Sequence, residues 1–258
     1  MNNTATAANE IMERAIMAAG IFEMLDQKKT DRIVEEVFNA GFNSRVRFAK
    51  MAYEETGIGV WEHKVFKNVL ATQIVYENIK DEKTVGVISE DNLSGITEIA
   101  QPLGPILGII PVTNPTSTVL FKIIIAMKTR NPIIIAPHPR AVRCSSEAAR
   151  ICYKAAVEAD APEDCIQWIE SPDRELTQAV MKHKDMAMIL ATGGPGLVKA
   201  AYSSGTPALG VGPGNVPVFI DESADIPYAV ENIILSKTFD NGTICASEQA
   251  VVVEKKIS

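Results

Sequence analysis

Ile106-Leu107-Gly108-Ile109-Ile110-Pro111-Val112-Thr113-Asn114-Pro115-Thr116-Ser117-Thr118 is the stretch that decides the fold class. An apolar run ends in a polar turn at Pro111 to Asn114. Pro115 suits the first position of a helix, because the N–H it lacks has no helical partner there. A strand that passes directly into a helix leaves free N–H groups and the Asn114 amide at the strand's carboxyl end, where open α/β sheets bind ligands. The Asn114 amide could stabilise an oxyanion in that crevice, or it could simply cap the helix.

The same alternation repeats outward from this stretch. Strands are predicted at 106–111, 132–136, 165–169, 186–190, 208–210 and 216–220, with helices near 116–128, 141–159, 174–184, 194–204 and 226–237. Strands separated by amphipathic helices imply an α/β fold with a Rossmann-like parallel sheet. Upstream, residues 1–80 read as an N-terminal helical layer. Ile11, Ala15, Ile16, Ala19 and Phe22 recur at helical spacing, as do Ile33, Val37 and Phe38, then Val46, Phe48 and Met51. Thr30-Asp31 is the expected cap of the second helix, and Gly57 with Gly59 the expected end of the third. A fourth helix is predicted from about Trp61 through Val65, Val69 and Ile74 to Ile79, with no capping residue before it. Residues 83–100 read as an antiparallel ribbon interrupted at Gly95, suited to oligomerisation. The expected organisation is 1–80 helical layer, 81–240 nucleotide-binding Rossmann-like domain, and 241–258 the start of a catalytic domain.

Composition narrows the function class. The chain has 258 residues, 47% hydrophobic and 22% charged, and a formal net charge of -7, so the basic footprint of a nucleic-acid binder is missing. Its longest apolar stretch, 106–112, falls far short of the ~20 residues a membrane span needs. The four cysteines, Cys144, Cys152, Cys165 and Cys245, make no CxxC pair and follow no secretory signal, which points to a reducing cytoplasm. The three histidines, His63, His138 and His183, are not spaced as metal ligands, so no metal is predicted. Small-molecule chemistry is the remaining expectation.

Three further segments offer sites. Ala191-Thr192-Gly193-Gly194-Pro195-Gly196 follows a predicted strand, and its glycines let backbone approach a ligand, although it is not the GxGxxG fingerprint and also reads as a tight turn. Gly210-Val211-Gly212-Pro213-Gly214-Asn215 suits a loop lining a substrate channel or a structural bend. In Phe239-Asp240-Asn241-Gly242-Thr243-Ile244-Cys245-Ala246-Ser247-Glu248 a glycine turn precedes Cys245, which is either an exposed nucleophile or a small core residue.

Taken together with Ala136-Pro137-His138-Pro139, these motifs run in order over nearly the whole chain and resemble the CoA-acylating aldehyde dehydrogenases, most closely the aldehyde-oxidising half of bifunctional aldehyde-alcohol dehydrogenases. The resemblance implies that Cys245 attacks the aldehyde, that NAD takes the hydride and that CoA, the co-substrate, takes the acyl group. It further implies that Asn114 and the Cys245 N–H form an oxyanion hole, while Ile109, Ile110, Pro111, Val112, Thr113, Asn114, Gly193, Gly194 and Gly212 line the cofactor. Hydrolytic relatives place a glutamate base where this chain reads Ala208-Leu209-Gly210-Val211-Gly212. A CoA thiol, with a pKa of roughly 8 to 9, needs no such base. The lysine that those relatives set on the cofactor ribose is replaced in Ile135-Ala136-Pro137-His138, where His138 either substitutes or is an ordinary loop residue.

Family members continue well beyond the point at which this chain ends, at Ser258 shortly after Cys245. The resemblance therefore implies an incomplete catalytic domain, lacking a later ribose-contacting glutamate and an oligomerisation strand. The 258-residue chain alone is expected to show little turnover, and the full-length protein to be a homo-oligomer. The expected location is cytoplasmic, with a bacterial microcompartment as the second location if segment 7–25 binds a shell rather than packing as a structural helix. The competing functional reading is an inactive nucleotide-binding or assembly module of the same fold. A hydrolytic dehydrogenase is disfavoured by the missing base.

Overall fold

The computed structural model describes residues 2–257. Its centre is a five-stranded, fully parallel sheet made of β3 (Ile106–Ile109), β4 (Ile133–Ala136), β5 (Ile166–Trp168), β6 (Met188–Thr192) and β7 (Ala208–Val211), in the order β5-β4-β3-β6-β7. The chain builds outward from β3 to β5, then returns to the other side of β3 for β6 and β7. The reversal between β3 and β6 is a topological switch point, and the crevice beyond the carboxyl ends of those strands is where such sheets take ligands.

Strands buried on both faces read as continuous apolar runs, and β3 and β4 are buried at every position. Alternation still sorts them. Ile133 and Ile135 join one core with α2 (Gln27–Asn43), α6 (Pro115–Lys128) and α7 (Val142–Glu158), while Ile134 and Ala136 join the other with α8 (Arg174–Met181) and α9 (Pro195–Tyr202). The N-terminal helices divide between these faces. α1 (Asn2–Glu23) lies on the second face through Ala8, Met12 and Ala15, whereas α2 and α3 (Arg45–Thr56) lie on the first through Ile33, Val37 and Phe48.

Two expectations at this level are corrected. The second helix starts before Thr30-Asp31: its cap is Asp26, whose carboxylate accepts from the Lys29 N–H at 2.8 Å, and the Thr30 hydroxyl donates back to the Asp26 carbonyl. Val216–Ile220, β8, is outside the five-stranded sheet. It pairs in parallel with β9 (Glu248–Val253), the two flanking α10 (Ile226–Thr238). The ribbon is present as antiparallel β1 (Gly86–Asp91) and β2 (Ile96–Ala100), exposed along almost its whole length. Gly57, in the left-handed region at φ 66°, ends α3. Among the described residues no helix is long and apolar enough to cross a membrane.

The fourth helix keeps Trp61, Val65, Val69 and Ile79 of its expected stripe partly buried, but exposes Ile74 and buries a polar stripe beside it. α4 (Trp61–Val69) runs through a π-helical turn, Leu70–Ile74, into α5 (Val75–Ile79). Lys64, Lys67, Asn68 and Thr72 are buried, while Phe66, Leu70 and Ile74 are exposed. The buried stripe is polar because it meets other polar groups: Thr116 donates to Asn68 Oδ1 at 3.0 Å, and both lysines reach the site described next.

Candidate active site

Two cavities at the switch point share His138. The larger, about 500 Å³, is lined by Pro111, Val112, Thr113 and Asn114 after β3, by Gly193 and Gly194 after β6, by Gly212 after β7, and by Cys245. The smaller, about 330 Å³, is mostly apolar and includes Ile109, Ile110, Ala136, Met181 and Leu197, with Arg174 and Asp173 at its polar side. Every site residue expected from the sequence therefore lies on one of these two cavities.

Cys245 is placed by a tight corner. Asp240, Asn241 and Gly242 all have positive φ, at 49°, 55° and 68°, a sequence of left-handed residues that Asp, Asn and Gly tolerate better than others. The corner turns the chain out of α10, and the Cys245 side chain is exposed at the cavity. The other three cysteines are buried. Burial pushes the Cys152 and Cys165 thiols up to about 12, and burial together with the neighbouring Glu55 carboxylate drives Cys144 higher still. Only Cys245 combines exposure with a cavity.

Asn114 occupies the N-cap position of α6, yet its side chain makes no capping bond. Its Oδ1 instead accepts from Lys67 Nζ at 2.6 Å, and its Nδ2 donates to Thr113 Oγ1 at 3.2 Å. The plain capping reading of this side chain is thereby set aside.

Behind the cavity lies a polar cluster that sequence reasoning missed. The Asp240 carboxylate, fully buried, accepts from Lys67, from Lys64 Nζ at 3.1 Å, from the Val60 N–H at 2.6 Å and from the Thr243 hydroxyl at 2.7 Å. Its own N–H donates to His63 Nδ1 at 2.8 Å, and the His63 ring stacks on Phe239. The Val60 contact gives the uncapped α4 its missing cap from a distant part of the chain. Burial opposes ionisation of Asp240, but the hydrogen bonds from Lys67, Val60 and Thr243 outweigh it and hold the carboxyl below its usual range. Burial also pulls Lys67 down to about 8, against the opposing pull of Asp240. The available signal was the spacing of Lys64 and Lys67, one helical turn apart on a single face.

Gly193 and Gly212 bring backbone close to the larger cavity. The Gly193 N–H donates to the Val211 carbonyl at 3.0 Å, and a Cβ at Gly193 would stand 2.5 Å from the Leu197 side chain. Gly194 then caps α9, its carbonyl accepting from the Leu197 and Val198 N–H groups at 3.0 and 3.2 Å, and Pro195 takes the first helical position.

Comparison with known proteins bears on the family of the chain. The chain is 53% identical over 245 residues to the bifunctional aldehyde-alcohol dehydrogenase of Escherichia coli K12, which covers 95% of this chain and 28% of that protein. It superposes with a TM-score of 0.94 and 54% identity on a crystal structure of an acetylating aldehyde dehydrogenase from Geobacillus thermoglucosidasius, covering 99% of this chain and 56% of that one. A propionaldehyde dehydrogenase from Rhodopseudomonas palustris, solved with bound CoA and an acylated cysteine, matches at 33% identity with a TM-score of 0.84, over 97% of this chain and 57% of that one. The chain thus spans roughly a quarter to somewhat over half of the proteins it matches. The aldehyde dehydrogenase family model matches residues 1–258, and the chain belongs to that family.

Proposed function

We propose that the full-length protein oxidises a short-chain aldehyde such as acetaldehyde to its acyl-CoA, with NAD as hydride acceptor and Cys245 as nucleophile. The observation that carries this reading is the exposed Cys245 thiol sharing one cavity with the Asn114 amide and with the glycine turns after β6 and β7. The likeness to an acetylating dehydrogenase, and to a relative solved with CoA and an acylated cysteine, supports the choice of reaction.

The residues present suit a nicotinamide dinucleotide. Ile109, Ile110, Ala136 and Leu197 offer flat apolar walls for a ring, and at the Gly193-Gly194 turn before α9 a Cβ on Gly193 would crowd Leu197, so the glycines keep the backbone open to a ligand. When bound, the nicotinamide supplies the hydride acceptor. The protein's own part begins with the Cys245 thiolate adding to the aldehyde carbon, which forms a C–S bond and leaves an alkoxide. The Asn114 N–H₂ group and the Cys245 N–H are the donors for that oxygen, and a single such donor is worth ~10²–10³ in rate. Loss of hydride leaves a thioester on Cys245. The CoA thiolate then adds to the thioester carbon and expels the Cys245 thiolate, giving acyl-CoA. The residues from Ala208 to Gly212 bring no carboxylate to activate water, which favours a thiol acceptor. The exposed β1–β2 ribbon is the proposed assembly element.

Incubating the full-length protein with acetyl-CoA and digesting it tests the covalent step. Acetyl on Cys245, removed by added CoA, is the expected result; an unmodified Cys245 peptide would overturn the reading.

A further inference from the structure

Lys67 links the two loops that meet at the cavity. From α4 it reaches Asn114 Oδ1 at 2.6 Å on the loop after β3, and Asp240 and Thr243 Oγ1, the latter at 3.4 Å, on the corner before Cys245. Lys64, one turn earlier, repeats the link from Asp240 to the Thr113 carbonyl, at 3.1 Å on each side. Both lysines are buried, so water does not compete for these contacts. The carboxylate holds the ammonium of Lys67 and fixes the corner, while the ammonium holds the amide.

An ammonium has only N–H groups to give. Asn114 must therefore turn its oxygen toward Lys67, which sets its N–H₂ group at the other end of the planar amide, where one N–H reaches Thr113 Oγ1 at 3.2 Å and the second remains to be given. The reversed amide would set N–H₂ against an ammonium, losing a charge-assisted bond and leaving a buried cation short of an acceptor. We propose that Lys67, held by Asp240, is a positioning residue that orients the Asn114 amide so that its N–H₂ end serves as the oxyanion donor. This rests on the dehydrogenase reading for its consequence in catalysis, but the orientation itself does not. Lys67 keeps its charge near neutral pH even though burial pulls it down to about 8.

A double-mutant cycle on the full-length protein tests this. Lys67→Met keeps the length of the stem and donates nothing; Asn114→Ala removes the amide. Each single change is expected to lower kcat by ~10- to 100-fold, with KM for NAD within about twofold of wild type. Because Lys67 acts through Asn114, adding Lys67→Met to Asn114→Ala is expected to cost no more than about twofold further. Multiplicative losses, or Lys67→Met with wild-type kcat, would overturn the proposal. Lys67→Leu, which is smaller and also donates nothing, carries the same cycle if Lys67→Met does not fold. An inactive wild type would sink the dehydrogenase reading alone. The crystal structure of the Lys67 variant then decides the orientation: an Asn114 amide rotated or spread over rotamers supports the proposal, and one left in place defeats it.

Discussion

Gly214 and Cys245 meet backbone to backbone. The Gly214 N–H donates to the Cys245 carbonyl at 3.2 Å, and a Cβ added at Gly214 would stand 3.0 Å from that same oxygen. The glycine loop after β7 therefore sets the depth of the nucleophile. Gly214→Ala should push the Cys245 turn by a few tenths of an ångström. Misplacement near 1 Å costs ~10²-fold, so a loss of about three- to tenfold in kcat is expected, with under about 1 kcal/mol lost in stability. Steady-state rates and urea melts on the same samples check it; unchanged kcat would show that the contact is incidental.

Gly59 faces the buried carboxylate. At φ 76°, a Cβ there would fall 2.1 Å from Asp240 Oδ1. Gly59→Ala must strain the backbone and displace a carboxylate that serves two lysines, so about 3 kcal/mol or more of stability should be lost. Thermal unfolding reads this directly, and a variant within about 0.5 kcal/mol of wild type would contradict the cluster as described.

Thiol chemistry should single out one cysteine. Cys144, Cys152 and Cys165 are buried with thiols pushed upward, and Cys245 is exposed. Iodoacetamide at neutral pH should label Cys245 alone in the native protein and all four after denaturation. Peptide mass spectrometry decides, and equal native labelling of Cys152 would be the adverse outcome.

Lys122 sets a pH dependence of stability. Its Nζ donates to the carbonyls of Ile109 and Leu190, each at 2.6 Å, bridging the ends of β3 and β6, and burial pulls it from 10.5 to about 7. Between those values the unfolded chain holds a proton that the native one lacks, so the stability contribution of this residue rises with pH across that window and is flat below it. Relative to Lys122→Met, the wild type should gain up to about 1.4 kcal/mol per pH unit above about pH 7. Urea unfolding of both proteins at about pH 6 and about pH 9 measures the change, and a constant difference would refute it.

The parts of this protein legible in its sequence are those that hydrophobic periodicity governs. The runs that became β3 and β4 are apolar throughout because both faces are covered, and their ends moved by only a residue or two. Pro115 marked the start of α6 correctly. Val216–Ile220 was legible as a strand but not as a member of a separate sheet, since pairing with Glu248–Val253 is a tertiary choice. The α4 face was legible only in part. Periodicity assigns lysines to solvent, yet Lys64 and Lys67 face inward because Asp240, far along the chain, supplies their counter-charge. Cys245 and Asn114 stood out only through the joint pattern of motifs; the lysines that link their loops left only their one-turn spacing on the helix.

The central claim is that aldehyde oxidation here runs through Cys245 to CoA. The most direct measurement follows NADH absorbance when the full-length protein is mixed with acetaldehyde and NAD, with and without CoA, beside a Cys245→Ala control. Sustained NADH formation that requires CoA and vanishes in the control is the predicted result. CoA-independent turnover, or turnover that survives in Cys245→Ala, would contradict it.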